Sequence, residues 1–412
     1  MRLLYSLGIW FYTLGIRLAT LFGHTKARLM VDGWKQWPTE VAKLSPNRPT
    51  VWFHAASLGE FEQARPVLEE YRFRHPDHQI LVTFFSPSGY EVRKSYAQAD
   101  AICYLPMDTP HNVRRFIIDV DPDIVFFVKY EFWYNYLNVL RQWGAKTYIF
   151  STIFRPDQYF FKWYGGWFRG QLKACFAHLF VQNRESLHLL QSHGIEHCSI
   201  AGDTRFDRVH QIAVAAEGDD KVERWLEGYD GNVLIGGSTW PPDEQLLAHV
   251  RQTNDDWFPG RIILAPHVIS EEHLQQIEKL FPDSIRYSKL SGVSDSPVLI
   301  IDNIGMLSKL YRYATVAYIG GGFGVGIHNI LEAVTFGKPV FFGPNHHKFQ
   351  EAHDIIACGG GWSVGSTHDL EEGAFMDLLT HPDKLDAASQ ACIDYMTANL
   401  GSTEIILNTL ES

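Results

Sequence analysis

The sequence predicts an α/β protein built on two doubly wound parallel sheets, and three observations carry that prediction. Short apolar, β-rich runs recur along the whole chain, each is followed by turn residues, and each turn leads into a stretch of helical period. Strands alternating with helices in this way form βαβ crossovers, hence parallel sheets with helices on both faces. At 412 residues the chain is also too long for one ordinary core, so two domains are expected.

The chain opens on an exception to the alternation. Residues 3–22, LLYSLGIWFYTLGIRLATLF, are nearly unbroken apolar and aromatic sequence with a single charge, Arg17. Twenty helical residues at ~1.5 Å each reach ~30 Å, the thickness of a hydrocarbon core, so the segment can span a membrane or lie in its interface. Trp10, Tyr5 and Tyr12 suit a headgroup belt, and Arg17, Lys26 and Arg28 would keep the rest of the chain cytoplasmic. No small-x-small cleavage site follows, so a removed signal peptide is not read here. Residues 1–28 are taken as a membrane-anchoring segment, with a buried helix of the first domain as the alternative.

Strands are then expected at residues 50–55, 80–85, 101–105, 124–128, 146–150, 179–181 and 198–201. A second series falls at 233–235, 261–265, 298–301, 316–319 and 339–342. Between them EGDDKVERWLEGYDGN turns polar and glycine-marked, which divides the remainder into a domain at 29–208, a linker region at 209–231 and a domain at 232–412. The last helix can pack back on the first domain. Ligands of open α/β sheets bind at the carboxyl ends of the strands, so two facing sheets make a cleft and the turns after strands are where chemistry is sought.

Composition narrows the function. A net charge of −11 argues against a protein that tracks nucleic-acid phosphates. The five cysteines are scattered, odd in number and without a C-x-x-C, which suggests neither zinc nor a disulfide framework and fits a reducing cytoplasm.

HAASLGEFEQARP, residues 54–66, places Glu60 three residues after Ser57 at a turn leaving a strand. Ser-x-x-Glu is a capping box, in which both side chains satisfy orphan backbone N–H groups. The same carboxylate can serve as a base. Phe61, Ala64, Leu68 and Tyr71 make a core-facing stripe, but Pro66 implies either a kinked helix or one that begins near Arg65, leaving Glu60 in a loop.

VAYIGGGFGVGIHNILEAVTFGKPVFFG, residues 316–343, runs a strand into five glycines and then a helix with Asn329 and Glu332 one turn apart. It looks like a phosphate cradle with Glu332 placed for ribose hydroxyls, although its spacing is neither Gly-x-Gly-x-x-Gly nor a Walker loop. IGGSTWPPDE, LAPH ending at His267, and DNIGML also follow strands, and four polar turns on one sheet point to one ligand site. In HHKFQEA the adjacent His346 and His347 would point to opposite sides of an extended segment, and no metal is assigned. RPDQYFFKWYGGWFRGQLKACF interleaves Arg155, Lys162, Arg169 and Lys173 with aromatics, a pattern open to core packing, an anionic amphiphile or single-stranded nucleic acid, with lipid preferred over nucleic acid.

Taken in order, WFHAASLGEFEQARPVL, VTFFSPSGYE, YLPMDTP, DPDIVFFVKYEFWYN, AGDTRFD, GGSTW and GIHNILEAVTFGKPVFFGPNHHKFQEA resemble the bacterial 3-deoxy-D-manno-octulosonic acid (Kdo) transferases of lipopolysaccharide assembly. The resemblance implies a GT-B fold, two Rossmann-like domains around a cleft, with an N-terminal membrane-associating helix. It implies an inverting enzyme at the cytoplasmic face of the inner membrane that moves Kdo from CMP-Kdo to a lipid A precursor and needs no metal or cofactor. By the same resemblance Glu60 is the proton acceptor and Glu131 and Arg205 support the transition state. Pro266, His267, Ile304, Gly305, Met306, Asn329, Ile330, Leu331 and Glu332 hold CMP.

This chain departs from the family pattern at four places. Lys129 stands where many relatives have the first glutamate of a Glu-x-Glu pair, Arg205 replaces a lysine, APH lacks a preceding arginine, and GIHN replaces GGHN. Two other readings remain beside the transferase: a sugar-nucleotide epimerase of the same architecture, which would need no lipid anchor, and a non-catalytic protein that binds nucleotide sugars or lipid.

Overall fold

Alternate residues within each apolar run bury on opposite faces, which is why the runs read as continuously apolar. In the computed structural model, which describes residues 1–252, 260–371 and 373–411, Trp52, Leu81, Val125, Phe127 and Ile149 enter one core and Val51, Phe53, Val82, Phe126 and Phe150 another. A sheet covered on both faces needs no polar side.

Strands β1 (Thr50–Ala55), β2 (Gln79–Phe84), β3 (Ala101–Tyr104), β4 (Ile124–Val128), β5 (Lys146–Thr152), β6 (His178–Val181) and β7 (Cys198–Ile200) form the first sheet, ordered β3-β2-β1-β4-β5-β6-β7. The second contains β8 (Val233–Thr239), β9 (Arg261–Pro266), β10 (Ser284–Arg286), β11 (Val298–Ile300), β12 (Val316–Ile319), β13 (Val340–Phe342) and β14 (Gly361–Ser363), ordered β10-β11-β9-β8-β12-β13-β14. The pairs on either side of β1 and of β8 are parallel. Each sheet therefore reverses its winding once, between β1 and β4 in the first and between β8 and β12 in the second. Strands β10 and β14 were not anticipated, because SIR and GWS are too short and too polar to stand out as apolar runs.

By contacts the chain forms two compact units, 1–208 with 400–412, and 209–399. The last helix, Ser402–Glu411, belongs to the first: Ile406 and Leu407 enter the core beside Val51 and Phe53, and Arg74 bonds Glu404 at 2.6 Å. Residues 209–231, expected to join the domains, are largely helical; helix Asp220–Leu226 buries Trp225, whose indole N–H donates to the Ser296 carbonyl at 2.9 Å.

Three helices matter for function. Helix α1 (Arg2–Leu21) lies against the first unit by one stripe only, and none of its residues is fully buried. Tyr5 donates to Asp108 at 2.6 Å and meets the Tyr134 ring edge-on, Ser6 accepts from Asn135, and Tyr12 stacks on Phe85. Leu3, Leu4, Leu7, Trp10, Phe11, Leu14, Leu18 and Leu21 remain exposed. Helix α2 (Thr25–Val41) packs beside α1 and on β3.

Helix α3 (Leu58–Arg74) begins directly after Ser57 and carries Pro66 in its interior, so the start near Arg65 does not occur. A proline there costs ~3 kcal/mol or more. Phe61, Val67 and Leu68 are each completely buried by the same helix, and at ~1.5–3 kcal/mol apiece their burial outweighs the proline. Glu60 accordingly sits in the first helical turn and not in a loop.

The candidate active site

In the first unit the candidate residues stand at the carboxyl ends of β1, β4 and β7. Ser57 is the N-cap of α3 by position, with an extended backbone (φ −139°). Its hydroxyl makes no capping bond to the helix backbone and donates instead to the Glu60 carboxylate. The capping box is thus absent. What remains is a hydroxyl that orients a carboxylate at the positive end of a 17-residue helix.

Glu131 reaches its place through a bend. Lys129, directly after β4, has φ +60°, a left-handed conformation that non-glycine residues adopt at a cost of ~1–2 kcal/mol. Strand β5 holds it there: the Lys129 N–H donates to the Phe150 carbonyl at 3.0 Å and its own carbonyl accepts from the Thr152 hydroxyl at 3.0 Å. Beyond the bend the Glu131 carboxylate turns back to His54 of β1, 3.2 Å away, and accepts from the Trp133 indole at 2.6 Å. Switch-point geometry, with β1 and β4 adjacent, brings the turns bearing Glu60 and Glu131 side by side.

Arg205, after β7, is clamped by Asp203, which it meets with Nε at 2.8 Å, Nη2 at 2.8 Å and its backbone N–H at 2.9 Å. Asp203 in turn accepts from Gln63 at 3.0 Å, and the Gln63 carbonyl accepts from Thr204 at 2.7 Å. Because Gln63 lies one turn beyond Glu60 on α3, this buried network fixes the guanidinium relative to the same helix.

The second unit repeats the logic at β8, β9 and β12. His267, after β9, packs its ring on Trp240, after β8, at 4.8 Å and on His328, after β12, at 4.5 Å. The Trp240 indole donates to His328 Nε2 at 3.1 Å, which requires a neutral imidazole; burial, and then the neighbouring His267, lower the His328 pKa in the same sense. Asp243 ties the two turns together, accepting from the backbone N–H of Trp240 and of Gly321 at 2.9 Å each and from the Tyr318 hydroxyl at 3.0 Å. A cavity of about 240 Å³ opens beside them, lined by Trp240, Pro242, Phe323 and Val325 among others.

The glycines of this loop answer first to packing. A Cβ on Gly320 would lie 2.3 Å from the Ser238 carbonyl oxygen, and one on Gly322 would lie 2.5 Å from the Gly343 backbone. The helix after them is one turn, Leu331–Val334, and begins beyond Asn329, which was expected on it, so a helix dipole contributes little to any anion site there. Asn329 opens that turn by accepting from the Leu331 N–H at 3.2 Å and donates to Glu332 at 3.3 Å. Burial raises the Glu332 pKa, and the Asn329 bond opposes the shift. Ile304 is exposed, Gly305 is left-handed at φ +92°, and Met306 is buried at the start of helix Leu307–Leu310. Tyr311, just past that helix, is buried. Pro266 ends β9 and places His267 directly in the ring cluster.

Two other expectations resolve differently. Residues 345–348 form a turn and not an extended segment, so the His346 and His347 rings come within 4.7 Å of each other and both approach His353. The aromatic stretch 155–176 is mainly core, with Phe160, Leu172 and Phe176 buried and Arg169 donating to the Phe160 carbonyl at 2.6 Å. Trp163 and Tyr164 alone among its aromatics project strongly, at 93% and 51% exposed.

Sequence reasoning passed over His54, Trp133, Trp240, Asp243 and His328. The available signal was position, since each lies at or just beyond the end of a strand flanking a switch point.

Two parallel doubly wound sheets with their polar turns at the switch points define a protein of the GT-B class. A solved structure of UDP-GlcNAc 2-epimerase from Neisseria meningitidis bound to UDP-GlcNAc superimposes with a TM-score of 0.62, covering 88% of this chain and 99% of that one; at 15% identity the likeness is one of fold. The 3-deoxy-D-manno-octulosonic-acid transferase (kdotransferase) family matches residues 32–208. The 3-deoxy-D-manno-octulosonic acid transferase of Chlamydia muridarum is 26% identical over 371 residues, 87% of this chain and 84% of that protein. That of Aquifex aeolicus is 26% identical over 330 residues, covering 78% and 83%. These similarities support a glycosyltransferase that transfers Kdo.

Proposed function

We propose that the protein transfers Kdo with inversion from CMP-Kdo to a hydroxyl of a lipid A precursor and releases CMP. The observation that carries the mechanism is the Ser57–Glu60 pair at the start of α3. A hydroxyl attacks an anomeric carbon poorly until a positioned base takes its proton, an effect typically worth ~10²–10⁴ in rate. Glu60, oriented by Ser57 and not tied to the helix backbone, is suited to that transfer. CMP departs as an anion, so a fixed cation such as Arg205 serves where hydrolases place a second acid. Glu131 supports positive charge that develops at the anomeric centre. Pro266, His267, Ile304 to Met306 and Asn329 to Glu332 hold the nucleotide, with Trp240 and His328 fixing the His267 ring.

We also assign the protein to the cytoplasmic face of the inner membrane, with α1 in the plane of the interface. The helix is long and apolar enough to span by length and composition alone. In favour of the interfacial reading, its Tyr5, Ser6 and Tyr12 are engaged by the first unit while the opposite face is unbrokenly apolar. The projecting Trp163 and Tyr164 lie close in sequence to Trp167 and Phe168, which pack on the same Tyr134 that Tyr5 meets.

The test is to incubate the purified full chain, in vesicles, with CMP-Kdo and lipid A precursor and to weigh the lipid. A Kdo-bearing lipid with equimolar CMP is expected. Isomerisation of the sugar nucleotide without lipid would favour the epimerase reading, and binding without turnover a non-catalytic one.

A further inference from the structure

At the end of β1 lies a buried polar chain that the mechanism above does not use. His54 is 0% exposed, on the same face of β1 as Trp52, and is the register partner of Thr83 on β2. The Trp52 indole donates to Thr83 Oγ1 at 2.7 Å, Thr83 Oγ1 lies 2.8 Å from His54 Nδ1, and His54 Nε2 lies 3.2 Å from Glu131 Oε2. The Trp133 indole lies 2.6 Å from the same oxygen and 3.2 Å from His54 Nε2, and its single hydrogen goes to the shorter contact with the carboxylate.

Donor counting selects one arrangement of protons. Trp52 can only donate, so Thr83 accepts from it and has one hydrogen to give. Were His54 Nδ1 protonated, that hydroxyl hydrogen would be buried without a partner, which native interiors avoid. With Nδ1 accepting from Thr83, the neutral ring carries its hydrogen on Nε2, facing the carboxylate. Every group in the chain is then satisfied. Both His54 and Trp133 donate to Oε2, and among the described residues no hydrogen bond reaches Oε1, which is left for the reacting groups.

We infer that His54 is a positioning residue for Glu131, held in its Nε2–H tautomer by Trp52 through Thr83. The inference rests on the reading that Glu131 acts at the reacting centre. It also accounts for a site with Lys129 in place of a first glutamate: the backbone bend at Lys129 and the buried histidine together fix a single carboxylate. Misplacing a catalytic group by ~1 Å can cost on the order of 10² in rate.

The experiment compares Thr83→Val with Thr83→Ser, and His54→Phe with His54→Gln, in the full-length enzyme with CMP-Kdo and lipid A precursor. Thr83→Val and His54→Phe are expected to lower kcat about tenfold or more while KM for CMP-Kdo stays within about twofold. Thr83→Ser and His54→Gln, which keep the hydroxyl and an N–H donor, are expected to retain most activity. With ¹⁵N-histidine, the ring of His54 should show the Nε2–H tautomer in the parent and in Thr83→Ser and lose it in Thr83→Val. Should His54→Phe not fold, the Thr83 pair decides. An Nδ1–H tautomer in the parent, or full turnover by Thr83→Val, overturns the inference. Glu131→Gln separates the two levels: if it is inactive while Thr83→Val is fully active, this inference alone fails, and if Glu131→Gln is fully active, the role of Glu131 fails and the inference with it.

Discussion

Replacing Glu60 by glutamine separates a catalytic carboxylate from a structural cap more sharply than any other single change. In the structure Glu60 makes no bond to the first-turn backbone, and its polar partner is the Ser57 hydroxyl. Removing its charge therefore forfeits only the favourable interaction with the helix N-terminus, ~0.3–1 kcal/mol for a partly exposed group. For a domain of roughly 150–250 residues, 1 kcal/mol moves Tm by about 2–4 °C, so Glu60→Gln should melt within a few degrees of the parent. The amide cannot accept the acceptor's proton, and turnover should fall by ~10²–10⁴. The assay is the mass of the lipid product with time, alongside thermal denaturation and CMP-Kdo binding of the same preparation. A Tm loss above about 5 °C with turnover within threefold of the parent would show that Glu60 is a structural residue and refute the reasoning.

Two further outcomes follow from other parts of the first unit. Glutamate at Leu7, Phe11 and Leu18, on the exposed face of α1, should abolish sedimentation with anionic vesicles without unfolding the protein, and deletion of residues 1–24 should release it likewise; an N-terminal tag protected from protease inside sealed vesicles would instead demonstrate a spanning helix. Asp108 accepts from Tyr5 and from the N–H groups of Asn135 and Tyr136, yet burial dominates and pushes its carboxyl up to about 7 from 3.8. The folded state thus binds this proton more tightly than the unfolded chain. Its contribution to stability is complete below about pH 4 and is lost as pH rises through 7, by an amount of order 4 kcal/mol at ~1.36 kcal/mol per unit. The Tm of Asp108→Asn relative to the parent should therefore rise between pH 5 and pH 8, and a constant difference would exclude titration of Asp108 as the cause.

The strands were legible because both faces of each sheet are covered, which forces continuous apolar runs between turns. Strands β10 and β14 escaped because edge strands of three residues bury too little to demand such a run. Glu60 was legible as a carboxylate at a strand-to-helix turn, but its state was not: Pro66 left open a helix that starts near Arg65, and burial of Phe61, Val67 and Leu68 decides for the early start. The glycines at 320–326 were read as a ligand cradle, whereas at Gly320 and Gly322 the immediate reason for glycine is contact with Ser238 and Gly343, residues 82 and 21 positions away in sequence. His346 and His347 were misplaced for a local reason, a turn at 345–348 where an extended segment was assumed.

The sequence by itself determined the class of fold, the apolar character of α1 and the turns in which functional residues would lie, because these depend on periodicity and on residues within a few positions of each other. Only the tertiary structure decided what those residues do to one another. His54 and Glu131 are 77 residues apart and meet because β1 pairs with β4 while Lys129 bends the chain back. Arg205 is oriented by Asp203 and, through it, by Gln63, which lies 140 residues from Asp203 on the helix that carries Glu60. A hydrogen bond is made or lost over a few tenths of an ångström, and distances of that order across a sheet are set by strand register and packing.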